Sequence, residues 1–81
     1  MMHFSETERR LLLATPFVGP KVIERLEEIG ICNFEQLQNN TVDTITHLVA
    51  NMLGTSCWKN SPQSKKAIQN AIDTAKRSIA V

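Results

Sequence analysis

Apolar residues recur along this chain at intervals of three and four, which lines them up on one side of an α-helix. The first such run is introduced by Ser5-Glu6-Thr7-Glu8, a capping-box pattern in which the Ser5 hydroxyl accepts from the Glu8 amide. Leu11, Leu12 and Leu13 follow, and Pro16 ends that helix near Thr15. A second helix begins at Pro20, a residue well suited to the first helical position, and carries Val22, Ile23, Leu26 and Ile29 as its apolar stripe. Gly30 stops it. Asn33-Phe34-Glu35-Gln36 starts a short third helix through about Gln38, which Asn39-Asn40 breaks. Thr41 caps a fourth, with Val42, Ile45, Leu48, Val49, Met52 and Leu53 on one face and Gly54 as its stop. Thr55–Ser61 reads as a loop, and Ser61-Pro62 opens a last helix with Ile68, Ala71, Ile72, Ala75 and Ile79 inward.

No segment alternates apolar and polar residues over any length, so no sheet is expected. Five helices with short connections, and no linker long enough to divide them, predict one compact all-α domain over residues 1–81. Leu11, Leu12, Ile23, Leu26, Leu37, Leu48 and Ile68 are the central core candidates. Trp58, in the loop after Gly54, is expected to plug the end of the bundle rather than face a ligand.

Composition narrows the function. A chain of 81 residues, 42% hydrophobic, supports one small core and is not compositionally disordered. The aromatic residues are Phe4, Phe17, Phe34 and Trp58, with no Tyr, too few for a platform that stacks single-stranded bases. A formal net charge of +1 argues against strong nonspecific binding of nucleic acid, but the charge is unevenly distributed. Residues 24–53 carry Glu24, Glu27, Glu28, Glu35 and Asp43 against Arg25 alone, a net of −4. Residues 54–81 carry Lys59, Lys65, Lys66, Lys76 and Arg77 against Asp73, a net of +4. Such asymmetry marks either a basic face or ordinary solvated helices. Lys65 and Lys66 stand in the first turns of the last helix, where the helix dipole opposes cations.

Chemistry-bearing patterns are sparse. His3, His47, Cys32 and Cys57 lack metal-ligand spacing, so no metal or other cofactor is expected. Cys57 precedes Trp58 and Lys59; an inert cysteine is the simpler reading than a reactive thiol. No nucleophile motif, phosphate-binding P-loop or dinucleotide fingerprint is present, and the expectation is a non-enzymatic protein with no catalytic residues. Charges interrupt residues 1–15, and no apolar run reaches membrane-spanning length; a cytoplasmic protein with reduced thiols and no membrane partner is expected.

The segment Leu13-Ala14-Thr15-Pro16-Phe17-Val18-Gly19-Pro20-Lys21, with Leu26 and Gly30, resembles the helix-hairpin-helix motif, whose two helices are joined by a hairpin of glycine, hydrophobic residue, glycine. Val18 stands at the hydrophobic position and Gly19 at the second glycine. Gly30-Ile31 followed by Phe34-Glu35-Gln36-Leu37 is similar to the short-helix sequel of small helix-hairpin-helix (SAM-like) proteins. Cys57-Trp58-Lys59-Asn60-Ser61-Pro62 also resembles the pathogenicity-locus family of small bacterial proteins, a likeness that extends over nearly the whole chain. The resemblance implies that the hairpin amides and the start of the second helix lie against a DNA phosphate; in that family the hairpin carbonyls often hold a monovalent cation as well, which the sequence leaves open.

Phe17 departs from this pattern. Pro16 would occupy the second position of a four-residue turn, and a type II turn needs positive φ at the next residue, which glycine accepts and phenylalanine resists. Either the turn is type I or Phe17 is strained. Two functional expectations follow. In the first, Val18, Gly19 and Lys21, with Lys65 and Lys66 of the basic segment, contact the backbone of double-stranded DNA without reading base edges. In the second, Phe17 at the hairpin tip and the division of charge serve association with a protein partner or with a second copy of the chain.

Overall fold

A computed structural model describes residues 3–79 of the chain. Its described residues form six α-helices and no strand: α1 (Glu6–Leu13), α2 (Pro20–Glu28), α3 (Phe34–Gln38), α4 (Val42–Leu53), α5 (Cys57–Asn60) and α6 (Pro62–Ile79). The helix ends follow local chemistry. Ser5 and Glu8 close a reciprocal capping box on α1. Asn33, Thr41 and Ser61 each accept the amide three residues ahead, so the first turns of α3, α4 and α6 have side-chain partners. Gln36 does not return to the Asn33 amide but accepts from Cys32 instead, at 2.8 Å. At the end of α2, Gly30 (φ 93°) lets the Ile31 amide reach the Leu26 carbonyl at 2.9 Å while its own amide bonds Glu27. Gly54 (φ 69°) does the same for α4, with Thr55 bonding Ala50. Both are Schellman-type stops that need a left-handed residue.

The core is one cluster built around α6, which packs against α1, α3, α4 and α5; α2 packs against α1 and α4. Leu12, Ile23, Leu26, Leu37, Ile45, Val49 and Ile68 are fully buried, and Phe4 meets Phe34 with ring centroids 6.4 Å apart. Ala67, Ala71 and Ala75 line α6, and their small side chains let the neighbouring helices approach it. No helix among the described residues is long and apolar enough to cross a membrane.

Several expectations are corrected. Leu11 is 42% exposed and Leu48 41% exposed, so neither belongs to the central core. Three consecutive leucines sweep about 200° around a helix, and α1 buries only the middle one, Leu12. On α4 the inward face is Ile45, Thr46, Val49 and Ala50. Thr46 is tolerated there because its hydroxyl donates to the Val42 carbonyl at 2.8 Å, leaving no unsatisfied group. Leu48, Met52 and Leu53 consequently face outward. Ile79 is also exposed, since α6 has 18 residues and outruns its shorter neighbours. The stretch read as a loop contains α5, a single turn closed by the Asn60 amide on the Ser56 carbonyl. It buries no side chain fully; Trp58 alone, half-buried, anchors it to the core.

One buried charge closes the far side of the helix pair. Glu27, on the last turn of α2, is 6% exposed. Its carboxylate accepts from the Phe4 amide at 2.9 Å and from Arg9 at 2.8 Å, and His3 Nδ1 lies at 3.3 Å. Burial, the largest single influence, pushes this carboxyl up; the Phe4 amide, His3 and Arg9 together outweigh it and hold the group below its ordinary value. The contacts tie the start of the chain and α1 to the end of α2.

Candidate functional site

The connection between α1 and α2 is Ala14 to Gly19, and its conformation follows from its two ends. Thr15 must leave the helical region before Pro16, and Gly19 is extended (φ −114°, ψ 179°) so that Pro20 can occupy the first helical position. Between them the Val18 amide donates to the Thr15 carbonyl at 3.1 Å, which closes a four-residue turn with Pro16 second and Phe17 third. Phe17 has φ 68°, the left-handed value that a type II turn requires at its third position. Of the two alternatives open at the sequence level, strain at Phe17 is the one realised. A side chain with a Cβ costs about 1–2 kcal/mol in this region.

The ring is not buried in compensation: Phe17 is 59% exposed at the tip. Val18 points the other way into the core, and its amide is consumed by the turn. The Gly19 carbonyl accepts from Val22 and Ile23. Among the described residues the amides of Phe17, Gly19 and Lys21 have no acceptor. They sit at or just before the N-terminus of α2, where the helix dipole is positive. Lys21 is exposed beside them, 3.9 Å from Glu24, a surface contact worth about 0–1 kcal/mol.

The hairpin is held by α6. Lys66 lies over the Phe17 ring, 5.8 Å from its centroid. One turn later, Asn70 donates to the Pro16 carbonyl at 2.9 Å. A further turn on, the Thr74 hydroxyl meets the Thr15 hydroxyl at 2.9 Å in a buried contact. Thr15 gives its single proton to the Leu11 carbonyl, so Thr74 donates to Thr15. Residues 66, 70 and 74 thus form one polar stripe along α6 that grips three consecutive hairpin residues.

No family model, no curated protein and no solved structure matches the chain.

Of the residues singled out by sequence, Phe17, Gly19, Lys21 and Lys66 come together at the hairpin, while Val18 supports it from the core. Lys65 lies one residue away, in a shallow groove with Val42, Lys66, Gln69 and Asn70. Asn70 and Thr74 were missed. Their signal is the four-residue spacing with Lys66, a polar row beside the apolar row of Ala67, Ala71 and Ala75. Cys32 is buried and Cys57 exposed, with the Thr55 hydroxyl 3.2 Å from its sulfur. No three potential metal-ligating side chains gather among the described residues.

The strain at Phe17 has a measurable consequence. Phe17→Gly removes the left-handed penalty but adds unfolded-state freedom, each about 1 kcal/mol, so stability should change by less than about 1 kcal/mol. Phe17→Val places a β-branched side chain at the same φ and should lose more than about 1 kcal/mol. Urea unfolding of both variants checks this; equal losses for the two would show that φ is not the determinant.

Proposed function

We propose that α1, α2 and their connection form a helix-hairpin-helix module that binds the sugar-phosphate backbone of double-stranded DNA without sequence preference. The observation that carries this reading is the turn at Phe17. Its positive φ gives phenylalanine the conformation that the first hairpin glycine would take, and beside it, among the described residues, the Gly19 and Lys21 amides at the start of α2 have no acceptor. A phosphate oxygen supplies such amides with the acceptor they lack. Lys21 in the first turn of α2 and Lys66 over the Phe17 ring provide cations. The likeness of residues 13–30 to the helix-hairpin-helix motif supports the same reading.

Lys21→Glu and Lys66→Glu test it, with a labelled DNA duplex at low salt read by fluorescence anisotropy. Each reversal should weaken binding roughly thirtyfold, because two unit charges about 4 Å apart in a watery site interact by about 1 kcal/mol and reversal counts twice. The loss should be the same for unrelated duplex sequences. Affinity indifferent to both reversals would overturn the assignment.

A second reading uses the same tip. Among the described residues Phe17 is the most exposed of the large hydrophobic side chains, and Leu13 on the last turn of α1 is also exposed. Together they fit a protein partner or a second copy of the chain. Sedimentation over a wide concentration range separates the two: mass that rises with concentration, and falls back in Phe17→Gly, favours association over DNA.

A further inference from the structure

The cations of the two ends of the chain are treated differently. Arg9, Arg10, Lys21 and Arg25 each lie within 4.0 Å of a carboxylate. Among the described residues, Lys59, Lys65, Lys66, Lys76 and Arg77 have no such partner. Solvated lysines are common, so this alone decides nothing. What matters is where three of them converge. Lys66 lies over Phe17 and also lines the shallow groove that contains Lys65. Lys65 in turn lines the neighbouring concavity between α4, α5 and the start of α6, together with Thr44, His47, Lys59 and Asn60. His47 and Lys59 continue into a third concavity beside Asn51 and Thr55. Consecutive hollows thus share their basic residues as common walls, and the series begins at the hairpin. Asp43 is the sole acid lining them.

We infer that this row is a continuous path for a phosphodiester backbone, and that Lys59, Lys65 and His47 form a second phosphate contact distinct from the hairpin. The nature of the polymer rests on the function proposed above; the position of the second contact does not. Lys59 and Lys65 supply charge, while the His47 ring, the Asn60 amide and the Thr44 hydroxyl supply further donors to phosphate oxygens. Lys65 and Lys66 stand near the start of α6, where the helix dipole disfavours cations, and an anion beside them reverses that penalty. The path also reconciles a net charge of only +1 with polyanion binding, since the N-terminal cations are neutralised locally and these are not.

The number of cations engaged is read from the salt dependence of binding, whose logarithmic slope changes by about 0.9 for each phosphate neutralised on duplex DNA. A hairpin acting alone engages Lys21 and Lys66. The extended path adds Lys59 and Lys65. The double variant Lys59→Gln/Lys65→Gln, both exposed positions, should therefore reduce the slope by about two and weaken binding at low salt. His47→Ala should weaken binding a few-fold. Thermal melts of each variant verify folding. If the double variant keeps the parent slope and affinity while the Lys21 and Lys66 reversals abolish binding, the second contact is wrong and the hairpin reading stands. If the double variant lowers the slope while the hairpin reversals do nothing, the hairpin reading fails and the second contact survives. A parent chain that does not bind the duplex at low salt overturns both.

Discussion

Ile68→Ala is expected to remove about 3 kcal/mol of folding stability, the cost of deleting a fully buried branched side chain and leaving a cavity. Ile68 has no exposed surface and sits on α6, the helix against which α1, α3, α4 and α5 pack. A domain of this length has roughly 4–12 kcal/mol in total, so one substitution removes a large fraction of it. The denaturant midpoint should fall with an unchanged slope, and the melting temperature should drop by roughly 15 °C. Ile68→Val, which deletes one methyl group, should cost about 1 kcal/mol. The consequence reaches the candidate site, because Lys66, Asn70 and Thr74 hold the hairpin from the same helix. Under the proposed function, a variant that remains folded at low temperature should bind duplex DNA as the parent does, and lose fold and binding together on warming. A loss no larger than that of an exposed position would mean that α6 is not the centre of the core.

Glu27→Gln is expected to cost about 2 kcal/mol near neutral pH, the scale of hydrogen bonds to a charged group that is largely buried. The carboxylate faces three donors: the Phe4 amide, Arg9 and His3. A carboxamide keeps one acceptor oxygen but turns its NH₂ toward donors, which leaves one of them unmatched. The dependence on pH distinguishes this charge from a packing effect. Glu27 titrates below its ordinary value of 4.5, so its contribution is present above that pH and disappears as the pH falls through the lowered value. The parent should lose stability across this acid window more steeply than the variant, and the gap between the two should narrow. Urea midpoints at successive pH values measure it. A gap that stays constant down to strong acid would show that the Glu27 charge is not what the contacts stabilise.

Much of the helical plan is legible along the chain because the signals are local. Ser5, Asn33, Thr41 and Ser61 each cap an amide three residues away, and Gly30 and Gly54 each end a helix by adopting positive φ. These are short-range interactions between neighbours in sequence, so no knowledge of the remaining structure is needed. The same holds for Pro16 before the turn and Pro20 at the start of α2. Where the sequence offered more apolar residues than a helix can bury, the pattern did not choose among them. Leu11, Leu12 and Leu13 are equivalent as residue types, and only contact with α2 and α6 selects Leu12. On α4, Thr46 faces inward past Leu48 because its hydroxyl is satisfied by its own helix.

The candidate site divides along the same line. That Phe17 occupies a position better suited to glycine is a statement about one turn, and the sequence carries it: the conflict between Pro16 at one position and a bulky residue at the next is local. That the conflict is resolved as a left-handed phenylalanine, rather than as a different turn, was decided by tertiary structure. Val18 is buried in the core, Asn70 holds the Pro16 carbonyl, and Thr74 holds Thr15, residues up to 59 positions apart in the chain. The convergence of Lys59, Lys65 and His47 is of the same kind, three helices brought together by a shared core. Sequence alone determined the all-α character and most of the caps and stops of the five longer helices, because those depend on neighbours within one helical turn; the single turn α5 was not among them. Which leucines are inside, and which cations surround the hairpin, was decided by packing, because those depend on partners that only the folded chain brings within reach.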